Sequence, residues 1–528
     1  MRRALTLGCA ALVLGSCGGS QSGPREYPRM TEDGQGQSRD AAPLPREALA
    51  DAPRLVTEPS ASSIVTLRVA FDAGSASDPA GREGITMVTA RTMAEGGAGE
   101  LSFAELSRRL YPMAGTISAQ VSRDETVFIG QVHADHLDAF YELFRDVLTR
   151  PRLSEEDFER VRDQVMNELA VDLRSSNDEA LGKEALELAL YEGHPYGHPA
   201  EGTVAGLRRL RIDDVRAHRD QELCAGRATI GIAGSVPEGF AQRMERDLSR
   251  LSSGACVGRQ ALPAPPSHEG PRVFLVHKPD AQAVAVSMGF AYDVRRDHPD
   301  YPAMVLAAAW LGQHRQFIGR LMQAIRGERG LNYGDYAYAE EFTQEGWSRF
   351  PVTNDARRQQ HFSIWLRPLR PETAHFAIRL AVRELDRLVR EGLTREQLDH
   401  VRTFLTQYYA LYTQTASRRL GYAMDDAFYA SSPAYVERLR AGWAELTPES
   451  LHEAIRRHLD PSRLTIAIVA SDANELADAI ASDAASPITY ATTVSAEVTA
   501  EDREIVGYPL HIPRERIRIV PVSQLFER

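Results

Sequence analysis

The sequence predicts an α+β protein made of two tandem copies of one domain, each an antiparallel-rich sheet with attendant helices. The first observation is a repeat: RATIGIAGS at 227–235 recurs as RLTIAIVAS at 463–471, and LSEEDFERVR at 153–162 recurs as LTREQLDHVR at 393–402, at offsets of 236 and 240 residues (463 against 227, 393 against 153). Two segments recurring at nearly one offset mark a duplicated domain, far longer than a solenoid period. The second is strand alternation at the start of each copy: Val65, Leu67, Val69 and Phe71 in the first, Val273 and Leu275 and then Val284, Val286 and Met288 in the second. The third is helical spacing further on, with Phe158, Val161, Val165 and Leu169 in the first copy and Phe376, Leu380, Leu385 and Leu388 in the second. Strands mixed with long helices, without regular βαβ alternation, read as α+β.

The ends are different in kind. MRRALTLGCAALVLGSCGGS begins with Arg2 and Arg3, continues in a short apolar run and reaches small residues before Cys17, the order of an export signal, and the run is too short to span a membrane. Leu14-Gly15-Ser16-Cys17 resembles a bacterial lipobox, which implies cleavage after residue 16 and a lipid on Cys17; Gly18 in place of Asp implies the outer membrane. Residues 17–58 are rich in Gly, Pro, Ser, Gln and charge and read as a flexible tether. The domains are then 59–250 and 272–475, joined by a Gly/Pro/Ser linker at 251–271 and followed by a tail at 476–528 whose IRIVPV at 517–522 looks like a strand.

Composition sets limits on partners. Hydrophobic residues make up 43% and charged residues 25%, an ordinary globular balance, and a net charge of −12 argues against nucleic acid, whose phosphates need a basic surface. No later segment is long and apolar enough to cross a bilayer. Of four cysteines, Cys9 leaves with the signal and Cys17 carries lipid; Cys224 and Cys256 remain, and the sequence leaves open one disulfide or two free thiols.

FDAGSASDPAGREG at 71–84 resembles the entry to the active-site helix of the pitrilysin/insulinase zinc metallopeptidases, whose members carry this Gly-Ser, Asp-Pro, Gly punctuation before HxxEH. MAGTISAQVSRDETVFIG at 113–130 is similar to the family's substrate-lining strand, GHPYGHPAEGT at 193–203 to its loop after a long helix, and GRLMQAIRGERGLNYG at 319–334 to the signature of its second domain. The resemblance covers about 55–475 and implies two homologous peptidase-fold domains forming one half of a clamshell.

The family's chemistry needs two histidines at i and i+4, a downstream glutamate as third zinc ligand, and a Glu that takes a proton from zinc-bound water. Aligned on Gly84, Met87 and Arg91 stand at the histidine positions and Ala90 at that of the base. A thioether is a poor zinc ligand, a guanidinium stays protonated, and a methyl moves no proton. Glu168, in DQVMNEL, falls where the third ligand lies; a carboxylate on a charged helix reads first as a solvated surface group, and the position leaves open instead a pair with Arg91 across the vacated site. His452 and His458 imitate HExxH, but a spacing of six puts them on different helical faces. His133 with His136, and His194 with His198, lack a third ligand and a base and read as loop histidines.

Arg326 and Tyr333 in IRGERGLNY match the Arg/Tyr pair that reaches the substrate from the second domain of bacterial members. Both are donors that can hold a peptide carbonyl and its developing oxyanion. A chain with this pair and no zinc motif is similar to one half of heterodimeric members. The resemblance implies a non-catalytic, substrate-holding subunit in the periplasm, anchored by lipid. It binds no cofactor itself, its zinc is carried by a homologous partner chain, and the peptide lies along the strand region 115–130 as an added strand. A lipid-anchored binding or assembly protein that has kept the fold without proteolysis is the competing reading.

Overall fold

The computed structural model describes residues 45–251, 255–344, 346–490 and 493–528. The signal segment 1–16, Cys17 and the tether as far as residue 44 lie outside the described residues. The first domain runs β1 (Arg54–Pro59), β2 (Ile64–Phe71), α1 (Ile85–Glu95), α2 (Phe103–Leu110), β3 (Thr116–Val121), β4 (Thr126–His133), α3 (Leu137–Thr149), α4 (Glu155–Asn167), α5 (Asp178–Leu190), α6 (Val204–Arg209), α7 (Ile212–Glu222), β5 (Ala228–Gly234) and α8 (Phe240–Leu248). The second runs β6 (Arg272–His277), β7 (Val284–Tyr292), α9 (Tyr301–Gly312), a π-helical turn (Met322–Gly327), β8 (Asp335–Tyr338), β9 (Gln360–Leu369), α10 (Pro371–Glu391), α11 (Arg395–Tyr408), α12 (Ala416–Phe428), α13 (Tyr435–Glu445), α14 (Pro448–His458), β10 (Thr465–Ala470) and α15 (Ala473–Ala481). Two further elements follow, α16 (Ala496–Ile505) and β11 (Ile517–Pro521).

The duplication is visible strand by strand. The first sheet has the order β1-β5-β2-β4-β3 and the second β11-β6-β10-β7-β9-β8, the same permutation with one strand added. In both, the first strand pairs parallel with the last strand of the repeat and the other pairs within the repeat are antiparallel; the added β11 pairs parallel with β6. The recurring RATIGIAGS and RLTIAIVAS form β5 and β10, and the other recurring pair forms α4 and α11. The spacing Phe158 to Leu169 belongs to α4 and its π-helical continuation, whereas Phe376 to Leu388 belongs to α10, so those two helical patterns lie on helices that are not counterparts.

Alternation in β2 places Val65, Leu67, Val69 and Phe71 in the helix-side core and Thr66 and Arg68 on the other face. That second face is covered by an exchange. Helix α5 of the first domain packs on β7 and β10 of the second sheet, and α12 of the second domain packs on β1 and β5 of the first. Gly231 lets α12 approach β5 closely, since a Cβ there would collide with the Met424 sulfur.

A buried charge network ties the two domains beneath this exchange. Glu187 of α5 accepts from Arg123 at 2.9 Å and from Arg357 of the second domain at 2.8 Å, while Arg358 reaches Asp124 at 2.8 Å. Burial pushes the Glu187 carboxyl up, but the Arg357 and Arg123 guanidiniums outweigh it and hold the group well below the usual carboxylate range.

Three expected boundaries change. The tether does not extend to 58: Arg54–Pro59 is strand β1, and the Glu47 amide donates to the Arg259 carbonyl at 2.8 Å. Its half-exposed edge position leaves RLVTEP without the apolar alternation of a buried strand. The tail from 476 is no appendage, because β11 extends the second sheet and the last residues strap the first domain, Val204 and Ala205 donating to the Phe526 and Glu527 carbonyls at 2.9 Å each. The region 115–130 is a hairpin, of which β3 alone lies at the sheet edge. Among the described residues no helix is long and apolar enough to cross a membrane.

Candidate functional site

The Asp-Pro-Gly entry before α1 has a structural purpose. Gly84 adopts φ 104°, and the Asp78 carboxylate caps the helix by accepting from the Gly84 amide at 2.6 Å, the Thr86 amide at 3.1 Å and the Thr86 hydroxyl at 2.5 Å. The His218 Nε2 lies 2.9 Å from the same hydroxyl. Partial burial pushes Asp78 up to about 7, and burial followed by the nearby Arg227 pushes His218 down to about 3. The helix start is thus fixed whether or not metal chemistry follows.

One turn on, the metal face is closed. Met87 is half-buried against the core, Ala90 is fully buried, and the Arg91 Nη1 donates to both oxygens of Glu168, at 2.7 and 2.6 Å, with its Nε on Glu95 at 2.9 Å. Of the two readings of Glu168, the structure shows the pair with Arg91. Glu168 is turned toward α1 because α4 widens there into a π-helical stretch, Glu168–Ser176. These residues do not fit zinc: one ligand position is a thioether, one a guanidinium, and the surviving carboxylate already receives a cation.

Two other groupings of metal-capable side chains occur among the described residues, and each is committed elsewhere. In His298, Asp300 and His458, Asp300 receives His458 at 2.7 Å and also Arg457, while the His298 Nδ1 accepts the Asp300 amide at 3.0 Å. In Glu187, Glu341 and His361, two arginines occupy Glu187, and burial drives His361 down to about 4. His452 turns away to the Val389 carbonyl at 2.9 Å, in keeping with its different helical face. His133 caps a turn beside Asp135, and His194 and His198 bond to the Pro263 and Pro199 carbonyls at 3.1 and 2.8 Å.

The second-domain pair is built differently. The π-helical turn Met322–Gly327 is followed by Gly330, whose φ of 62° reverses the chain, and buried Leu331 anchors it. Arg326 and Tyr333 are brought together, the guanidinium carbon lying 4.4 Å from the Tyr333 ring centre. On its other side the guanidinium lies 4.7 Å from the ring of Phe317, and both rings are exposed, Tyr333 at 70% and Phe317 at 66%. The Arg326 side chain donates a hydrogen bond to none of the described residues. Phe317 was not legible as a site residue, because an aromatic in the loop GQHRQFIG carries no period or motif. No hydrogen bond, ion pair or ring contact among the described residues joins Arg91 and Glu168 to Arg326 and Tyr333.

Cys224 and Cys256 are joined as a disulfide with Cα atoms 6.1 Å apart, which closes the choice that the sequence left open.

Two domains of one peptidase architecture, with the metal face closed and a donor pair standing free, define a zinc-peptidase homologue without the zinc motif. Residues 54–204 match the model of the insulinase peptidase family M16 and residues 209–405 that of the peptidase M16 inactive domain. The chain belongs to the insulinase-type peptidase family M16. It is 20% identical over 415 residues to the non-peptidase homolog YmxG of Helicobacter pylori, covering 77% of this chain and 88% of that protein. It is 27% identical over 247 residues to an uncharacterized zinc protease of Mycobacterium leprae, covering 46% of this chain and only 54% of that protein. Among solved structures, a peptidase M16 inactive domain from Pseudomonas fluorescens superposes with a TM-score of 0.69 at 20% identity, over 81% of this chain and 98% of that one.

Proposed function

We propose that this chain is the substrate-holding, non-catalytic subunit of a periplasmic zinc endopeptidase, lipid-anchored through Cys17 at the outer membrane and paired with a zinc-bearing homologous chain. The observation that carries it is the contrast in donors: the Arg326 guanidinium is held between two exposed rings with its N–H groups unspent, while Arg91 and Glu168 consume each other where zinc would bind. A preorganised guanidinium and phenol can hold a peptide carbonyl and stabilise the oxyanion that forms as water attacks. The peptide adds as a strand to the free edge of β3. The Cys224–Cys256 disulfide supports an oxidising compartment, and the printed name of the Helicobacter relative, a non-peptidase homolog, supports a chain inactive alone.

The test is reconstitution. Purified alone, the chain is expected to carry no stoichiometric zinc and to cleave no peptide; mixed with a zinc-bearing homologue encoded by the same organism, it should yield chelator-sensitive cleavage. Chelator-sensitive cleavage by the lone chain would overturn the proposal. Native co-purification that yields no zinc-bearing homologue, with peptide binding intact, would replace it with the lipid-anchored binding or assembly role.

A further inference from the structure

The turn that carries Arg326 and Tyr333 leads into a buried carboxyl that forms no ion pair among the described residues. Asp335 opens β8, and alternation gives its side chain the face of Ala337, which packs in the helix-side core with Leu331 and with Ala324 and Ile325 of the π-helical turn. Tyr336 and Tyr338 belong to the other face. Gly312 brings the end of α9 against the Asp335 carbonyl, which a Cβ there would strike, and Asp335 is left 0% exposed. Its Oδ1 accepts from the Asn332 Nδ2 at 2.6 Å, while its Oδ2 and the Asn332 Oδ1 are buried with no hydrogen-bond partner among the described residues. Buried polar atoms are nearly always paired, so two orphaned acceptors flanking Tyr333 are an exception. Burial pushes the Asp335 carboxyl well above the usual carboxylate range, and the cation whose charge reaches it is Arg326.

The charged groups around Asp335 differ in commitment. Arg320 binds Glu384 at 2.9 Å and Glu501 at 2.8 Å, and Arg329 binds Glu501 at 2.7 Å and Asp502 at 2.9 Å. Glu328 is taken by the same two arginines. Arg367, two residues along β9 from Trp365 and so on the Tyr336 face, lies 3.3 Å from Glu179. Arg326 is held only by the Phe317 and Tyr333 rings. A lone carboxylate in an apolar core is costly and stays protonated unless a cation reaches it, whereas stacking on exposed rings is a weak hold on a guanidinium. We infer that Asp335 is a positioning residue for Arg326: as a neutral acid it leaves the guanidinium between the two rings, and as a carboxylate it draws the guanidinium inward, away from the peptide carbonyl. The inference rests on the proposal that Arg326 holds substrate, and it adds the regulation of that site. Holding is complete while Asp335 is protonated and is lost as pH rises through its titration. By the same linkage, bound peptide keeps Arg326 outward and keeps the proton on Asp335.

Fluorescence anisotropy of the full-length chain reads this with a labelled, uncharged peptide of about eight residues, alternating Thr and Val, enough to span a strand of ordinary length. Scanned from about pH 5 to about pH 9, below the range of an ordinary phenol, wild-type affinity should fall on the order of tenfold, the usual effect of losing one hydrogen bond from a charged donor. Asp335→Asn keeps the side-chain size and an oxygen for Asn332 but cannot ionise, and it should lose this pH dependence. Arg326→Ala should bind weakly across the whole range, with thermal midpoints confirming the fold of both variants. A flat wild-type profile, which needs no variant to measure, overturns the role of Asp335, as does an identical fall in wild type and Asp335→Asn; either result leaves Arg326 as the holding group. Full affinity in Arg326→Ala overturns the holding role and the inference with it.

Discussion

Helix α1 of the first domain and the turn at 322–333 of the second each present an arginine to the surface, and the two have opposite fates. Arg91 is saturated, chelated by Glu168 and Glu95 at 2.6–2.9 Å. Arg326 is positioned by two flat rings that accept no proton and take no N–H. An ion pair commits a guanidinium; ring stacking holds its plane while leaving its edge for a ligand. The difference teaches that side-chain commitment is local: the same duplicated framework ion-pairs one arginine and holds the other between rings.

The comparison breaks most sharply on Arg326. In the reconstituted complex Arg326→Ala should lower kcat/KM by about a hundredfold, the usual cost of one oxyanion donor, with no change in thermal midpoint; an unchanged rate would erase the distinction between the two arginines. Next in size is the attempt to reopen α1. Met87→His together with Arg91→His, beside the native Glu168, should bind one zinc per chain by elemental analysis and raise stability by about 2.7 kcal/mol at a hundredfold excess over Kd. It should still cleave nothing, because Ala90 supplies no base. Failure to bind zinc would mean that Glu168 is not at ligand distance. Smaller again is Arg91→Ala: Glu168 is 41% exposed, so after solvent screening the loss should stay within ~1 kcal/mol in urea denaturation, and the rate of the complex should not change.

The smallest expected effect is an absence of titration. His218, held at about 3 chiefly by burial, should show no proton NMR titration between pH 8 and 5. Because its folded value is depressed, its contribution to stability is complete above its unfolded value of about 6.5 and is lost as pH falls toward 3. Asp78, raised to about 7, runs the other way, its contribution complete below about 3.9 and lost as pH rises through 7. A His218 resonance that shifts near neutrality would show that the cap of α1 is open to water.

What the sequence exposed and what it hid follow from where information is local. The repeat was legible because β5 and β10 are buried on both faces and must spell their apolar character in consecutive residues. The absence of the zinc motif, with Met87, Ala90 and Arg91 at its positions, was legible because a motif of fixed spacing can be read position by position. Strand β1 was hidden because an edge strand with alternate residues exposed resembles a tether. The role of Phe317 was hidden because it depends on a ring reaching Arg326 from nine residues away. The strap at 526–527 is made of backbone carbonyls, which no side-chain pattern encodes.

The exchange of α5 for α12 has a consequence for how such a chain can change over generations. Each repeat roofs its neighbour's sheet, so neither could be inherited, shed or transplanted as a separate module without baring a hydrophobic surface. The repeats are bound into a single heritable unit. Residues at a site in one repeat can change freely, but the domain that carries them has to be kept as architecture, because its α5 is the other repeat's roof.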